Sequence, residues 1–264
     1  LIIKKIIRSS ISDLICKGVK PKYYFISASG NKKSFSKSNL SKITKSLKEE
    51  QRKYNIKLGG GDTVYSNKLS FTVTSVGFSN KIIHRNRSKI HDDIYVTGNL
   101  GDSFLGLLVL KKNIKINKKL SSYFVNQYYK PEIKYSLTDF FIKFATSSID
   151  LSDGMIADLE KLTNNQNNSY QIYFDKIPLS NNLKSIIKSK NLIKKNLISK
   201  GDDYQVLFTA NSRNRSFIKK ISSLKKLKIT RIGKILHSKH KSSIIDRKGR
   251  QIEISNKGYL HTFD

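Results

Sequence analysis

Asp150 and Asp153 stand three positions apart in the run Ser148-Ile149-Asp150-Leu151-Ser152-Asp153-Gly154. Carboxylates at this spacing share one turn and offer hard oxygen donors to a divalent cation, while Gly154 frees the backbone beside them. Met155, Ile156, Leu159 and Leu162 then recur at helical spacing. Asp153 or Ser152 could equally be a plain N-cap, at a helix start that also attracts phosphate. Three further segments place acids in a similar way. Gly59-Gly60-Gly61-Asp62-Thr63 precedes a strand with Leu69, Phe71 and Val73 on one face. Gly201-Asp202-Asp203-Tyr204 precedes the apolar Val206-Leu207-Phe208, and Ser12-Asp13-Leu14 follows a short helical run. Four acid-bearing turns point to several metal ions, and metals in that number accompany polyphosphates.

The elements that must position these groups alternate between helix and strand. The pattern predicts a first helix, a strand over Tyr23 to Ala28, a Ser/Lys-rich helix over Lys37 to Tyr54, then the glycine turn and the alternating strand. Arg85 to Asp92 is polar and charged, the best linker. A strand from Asp93, a helix from Ser103, a helix around Tyr135 to Ala145 and the Asp150 turn with its helix follow. Strands over Gln171 to Phe174, Tyr204 to Phe208 and Ile229 to Ile235, with a basic helix through Phe217 and Ile221, complete an α/β chain. No internal repeat is evident.

Composition bounds the function. At 264 residues the chain can bury a sizeable core. With 51 Lys+Arg against 19 Asp+Glu the formal charge is +32, which would ordinarily raise nucleic acid as a partner. The excess is mostly lysine scattered among Asn, Ile and Ser, without clustered base-reading groups, and fits a codon bias better than a nucleic-acid surface. Cys16 is the single cysteine, so no intrachain disulfide forms and a reducing cytoplasm fits. The five histidines show no zinc spacing, and no apolar run approaches the roughly 20 residues needed to span a bilayer.

Taken in order, the motifs resemble the thiamine-monophosphate kinase family, within the superfamily of aminoimidazole ribonucleotide synthetase and selenophosphate synthetase. Ser12-Asp13-Leu14 with Gly18 and Pro21 resembles the segment N-x-S-D-L-A-A-M-G-A-x-P, and Gly60 to Thr63 resembles G-G-D-T. Arg85, Lys89 and Asp92 ahead of Val96-Thr97-Gly98 are similar to R-S-G-A-K-P-G-D and its following V-T-G strand. Leu100 to Ser103 with Gly106 is similar to the next turn and helix. Ile149 to Gly154 matches I-D-L-S-D-G, Gly201 to Tyr204 resembles G-E-D-Y, and Lys257-Gly258-Tyr259 matches K-G-Y. The chain departs from the family at Tyr65, where arginine is usual, at Tyr128-Tyr129-Lys130-Pro131, where H-L-R-P is usual, and at Asp202, a shortened glutamate. The family's front G-D-D and S-T-D turns are not found, so a segment ahead of Leu1 is expected to be missing and the chain as it stands to be inactive.

The resemblance implies an α/β fold of the aminoimidazole ribonucleotide synthetase type with mixed sheets and packed helices. It implies one unit at 1–90 and a second at 91–264, pairing as a homodimer through the first sheets. The implied activity is ATP-dependent phosphorylation of thiamine monophosphate, assisted by Mg2+ and direct and in line. By position, Asp13, Asp62, Asp150 and Asp153 would ligate Mg2+. Gly61, Arg85 and Ser152 would contact ATP, and Asp202 and Tyr259 the thiamine phosphate, with no side chain needed as a general base. Two other readings share features: another ATP-dependent synthetase or maturation enzyme of the superfamily, and a basic nucleic-acid-binding protein.

Overall fold

A computed structural model of the protein describes residues 1–259. The first helix, α1 (Ile2–Cys16), places Ile3, Ile7, Ile11 and Ile15 on one buried stripe, each worth roughly 1.5–3 kcal/mol when fully buried. The stripe meets Tyr24, Tyr54, Ile56 and Ile133. Strand β1 (Pro21–Gly30) follows, then α2 (Lys37–Tyr54), capped by Ser36 and ended by Asn55 in the left-handed region. Strands β2 (Lys57–Tyr65) and β3 (Ser70–Gly77) flank β1, β2 parallel and β3 antiparallel. The glycines expected to form a turn are therefore inside a strand. The reason is close approach: a Cβ on Gly61 would lie 2.0 Å from the Ile26 carbonyl oxygen, so only glycine lets the strands pair there.

The second sheet begins with β4 (Asp93–Thr97), buried along its whole length. Helices α3 (Asp102–Leu110) and α4 (Lys118–Tyr129) pack as a hairpin. The periodicity did not announce α4, whose Lys-rich start is fixed by Asn117, accepting from the Leu120 amide at 2.9 Å. A short α5 (Thr138–Phe141) leads into β5 (Ala145–Asp150). The helix expected to reach Ala145 stops early because Phe141 and Phe144 turn inward against Phe208, with ring centroids 5.2 and 5.6 Å away. After α6 (Met155–Thr163) come β6 (Asn168–Tyr173), α7 (Asn181–Ser189), α8 (Lys194–Ile198), β7 (Val206–Ala210), α9 (Arg215–Leu224), β8 (Ile229–His237) and β9 (Ser243–Ile245). Strand order is β5-β7-β4-β8-β6-β9, antiparallel except for the β6–β9 pair. The main core lies under α3, α6, α7 and α8.

The two sheets are joined where the end of α1 meets β5. Ser148 Oγ donates to the Cys16 carbonyl, and the Lys17 ammonium donates to the Ser148 carbonyl at 2.6 Å. No helix among the described residues is long and apolar enough to cross a membrane.

Candidate active site

Strand β5 is an edge strand whose last residue, Asp150, is 5% exposed. Ser12, on the buried stripe of α1, donates to Asp150 Oδ2 at 2.8 Å across 138 positions of sequence. One residue further along α1, Asp13 leaves the stripe and is exposed, yet its carboxyl lies near enough to that of Asp150 for the two to act on each other electrostatically. Asp13 therefore sits in a helix rather than in a turn after one. Burial, and then the neighbouring Asp13 charge, push Asp150 up to about 7. Burial also raises Asp13, against the pull of Lys17 and Arg85. Two carboxyls face each other here, and ionising both in the absence of a cation is costly.

Arg85 is held near Asp13 because its segment is pinned on both sides. The Ile83 amide donates to the Lys17 carbonyl at 3.0 Å, and the His84 carbonyl accepts from the Ser148 amide at 3.3 Å. Arg85 is exposed and lowers the pKa of both Asp13 and Lys17. Lys17 and Ser12 thus belong to the constellation beside the expected residues. Lys17 follows Asp13 by one helical turn, and that spacing was the signal available for it.

The turn after β5 is built by three distant motifs. Gly154, at φ 132°, begins α6 without a side-chain cap. Instead Asp158 reaches back, its Oδ2 accepting from the Asp153 and Gly154 amides at 2.9 and 3.1 Å. Neither Asp153 nor Ser152 is the cap, so the Asp153 carboxylate is left to pair with Lys161. The Asp202 amide donates to the Ser152 carbonyl at 2.9 Å, and the Tyr204 amide to that of Leu151 at 2.8 Å. A Cβ on Gly201, at φ +73°, would lie 2.1 Å from the same Ser152 oxygen. From the other side the Tyr259 amide donates to the Asp153 carbonyl at 2.8 Å, and the Ala157 amide to the Lys257 carbonyl at 2.9 Å. A cleft of about 630 Å³ between α6 and this tail is lined by Lys161, Asn164, Lys257 and Gly258; Asp13 and Asp150 lie outside it.

Asp202 and Tyr204 both adopt positive φ, at 63° and 49°, a cost that packing against Leu151 and Ser152 sustains. Asp202 accepts from the Lys5 ammonium at 2.6 Å, and that ammonium lies over the Tyr128 and Tyr204 rings, 4.1 and 4.9 Å from their centroids. No local pattern could have disclosed Lys5, which comes from the first turns of α1. Asp203 instead caps α3, accepting from the Gly101 and Ser103 amides at 2.7 and 3.3 Å. Full burial pushes it up to about 7 despite those two bonds.

Asp13, Asp150 and Arg85 therefore come together, Ser152, Asp153, Asp202 and Tyr259 form one wall beside them, and Asp62 and Gly61 stand apart. Asp62 lies exposed in β2, accepting from the Thr63 amide at 2.7 Å, and by register it shares a sheet face with Phe25 and Val64. Among the described residues no three His, Cys, Asp or Glu side chains converge as a metal cage. Two facing carboxyls still fit Mg2+, which is commonly held by one or two carboxylates together with substrate phosphates.

The architecture is that of AIR synthase related proteins, whose N-terminal domain description matches residues 3–79. The fold is shared with the structure of AaThiL complexed with AMPPCP and TMP, at TM-score 0.82 and 24% identity over 98% of this chain and 82% of that one. It is shared too with the HypE–HypF complex, at TM-score 0.80 and 16% identity over 96% and 84%. Thiamine monophosphate kinase from Aquifex aeolicus superposes at TM-score 0.81 with 25% identity, covering 96% of this chain and 83% of that one. In sequence, the thiamine-monophosphate kinase of Buchnera aphidicola (subspecies Acyrthosiphon pisum) is 34% identical over 263 residues, 97% of this chain and 79% of the relative. The chain belongs to the thiamine-monophosphate kinase family.

Proposed function

We propose that the protein transfers the γ-phosphoryl group of ATP directly and in line to the phosphate of thiamine monophosphate, giving thiamine diphosphate with Mg2+ as the assisting ion. Family membership supports the substrates. The juxtaposition of Asp13 and Asp150, mutually repelling and backed by Arg85, is the observation that supports the chemistry.

The acceptor oxygen belongs to a phosphate and is already anionic, so no side chain has to remove a proton. The obstacle is the approach of two polyanions. Unit charges about 4 Å apart repel by roughly 4 kcal/mol at an effective dielectric near 20, and several such pairs must meet. Mg2+ held by Asp13 and Asp150 would supply the bridging charge. Arg85, exposed beside the pair, would grip a phosphate through its fork of N–H donors. Asp153 would join the ligands on releasing Lys161, and Ser152 would approach ATP from the same turn. Asp202 and Tyr259 would face the thiamine phosphate.

Asp62 and Gly61 would contribute only in a homodimer. The face that carries Asp62 also presents Phe25 and Val64, 44% and 50% exposed, and a second copy laid on it would cover them and carry Asp62 towards a neighbouring Asp13–Asp150 pair. In this reading the first unit is 1–90, the second is 91–264, and the enzyme works in the cytoplasm. The test is to incubate the full-length protein with ATP and Mg2+, offering thiamine monophosphate, free thiamine or no acceptor, and to separate the products. Thiamine diphosphate from the monophosphate alone is expected; equal ATP consumption without acceptor would overturn the assignment.

A further inference from the structure

Lys17 closes α1 one turn after Asp13, so the two side chains leave the helix on neighbouring positions of one face. Its ammonium is fixed by the Ser148 carbonyl at 2.6 Å, on the strand that ends two residues later at Asp150. Burial, and then the neighbouring Arg85 charge, lower its pKa, while Asp150 and Asp13 act in the opposite direction and favour the charged form. The segment is held from the other direction as well, since the Lys17 carbonyl accepts from the Ile83 amide at 3.0 Å. A tethered positive charge thus stands beside the end of the strand that carries Asp150, one helical turn from Asp13.

We propose that Lys17 is a built-in counter-cation for the Asp13–Asp150 pair, weakening divalent-metal binding to the free protein so that metal is taken up together with the nucleotide polyphosphate. The inference rests on reading Asp13 and Asp150 as the metal-holding pair. Its physical content is competition. With the ammonium in place, part of the pair's attraction for an arriving dication is already offset, and with a neutral side chain that offset is gone. Nucleotide phosphates add the missing negative charge, so the penalty falls on the empty protein and not on the ternary complex.

The experiment titrates Mn2+ alone into the nucleotide-free full-length protein and follows free Mn2+ by its paramagnetic resonance signal. Lys17→Met, Lys17→Gln and Lys17→Arg are compared with the unaltered chain. Met and Gln are expected to tighten Mn2+ binding on the order of tenfold, as removal of one unit charge close to a dication does at an intermediate dielectric, while Arg leaves it within about twofold. Gln can still donate to the Ser148 carbonyl, so it separates charge from hydrogen bonding and carries the test if Met impairs folding. Unchanged affinity in both neutral variants, or a change in Met alone, overturns the inference while leaving the metal pair intact. Absence of Mn2+ binding in every form overturns the pair itself, and the inference with it.

Discussion

Replacing Asp150 by Asn should make the metal-free protein more stable, and the size of the gain is set by the site. Asp150 is 5% exposed, and burial followed by the Asp13 charge pushes it up to about 7 from its ordinary 3.8, so ionising it in the folded state costs on the order of a few kcal/mol. Asn keeps the volume, still accepts from Ser12 and can donate to Asp13. With part of that cost recovered, a gain of about 1–3 kcal/mol is expected, or roughly 3–10 °C in Tm for a chain of this size. The pH dependence follows from the direction of the shift. The folded protein binds this proton more tightly than the unfolded chain, so its penalty is absent below about pH 4, grows as pH rises towards 7 and is constant above. Thermal melts in EDTA should therefore show a gap between variant and parent that widens from pH 5 to pH 8. Added Mg2+ should narrow it by stabilising the parent alone. A variant less stable at pH 8, or a gap that does not change with pH, would refute the reasoning.

Asp203→Ala removes both acceptors from the buried start of α3 and should cost about 1–3 kcal/mol in chemical denaturation; a loss under about 0.5 kcal/mol would contradict its capping role. Gly201→Ala must adopt a left-handed φ with its Cβ 2.1 Å from the Ser152 oxygen, so the wall of the site should shift. Reduced thermal stability together with a raised KM for thiamine monophosphate is expected, and a variant kinetically equal to the parent would argue against the contact. Asp153→Asn should leave stability within about 1 kcal/mol, since its partner Lys161 keeps Asp158, yet cut kcat at limiting Mg2+ by at least about tenfold. Unaltered turnover there would remove Asp153 from the metal ligands.

The second half of the fold was largely legible in the sequence. Its β4 and β7 read as continuous apolar runs because both are buried throughout, and α6 reads from Met155, Ile156, Leu159 and Leu162. The errors came where glycine or lysine hid an element. Gly59 to Gly61 suggest a turn, but β1 offers an open edge and the absence of side chains is what allows pairing. In α4 the lysines and polar residues conceal a helix whose burial rests chiefly on Phe124. At the site, the motifs marked Asp13, Asp150 and the residues of the Ser152 turn, because each motif is local. Lys5, Lys17 and Lys161 went unread because a lysine discloses its role only through the distant acid or carbonyl it meets, and this chain has many lysines. Asp153 looked like a cap because the helix start is adjacent; Asp158, reaching back from within α6, does that work.

The central claim is that Asp13 and Asp150 hold the ion that lets two phosphates meet. The direct measurement is the Mg2+ dependence of thiamine diphosphate formation by the full-length parent, Asp13→Asn and Asp150→Asn, with folding of each confirmed by thermal melting. Folded variants that lose most turnover at low Mg2+, and that require far more of the ion for whatever activity remains, are the predicted result. Near-parental turnover across the Mg2+ series in either folded variant would contradict the account.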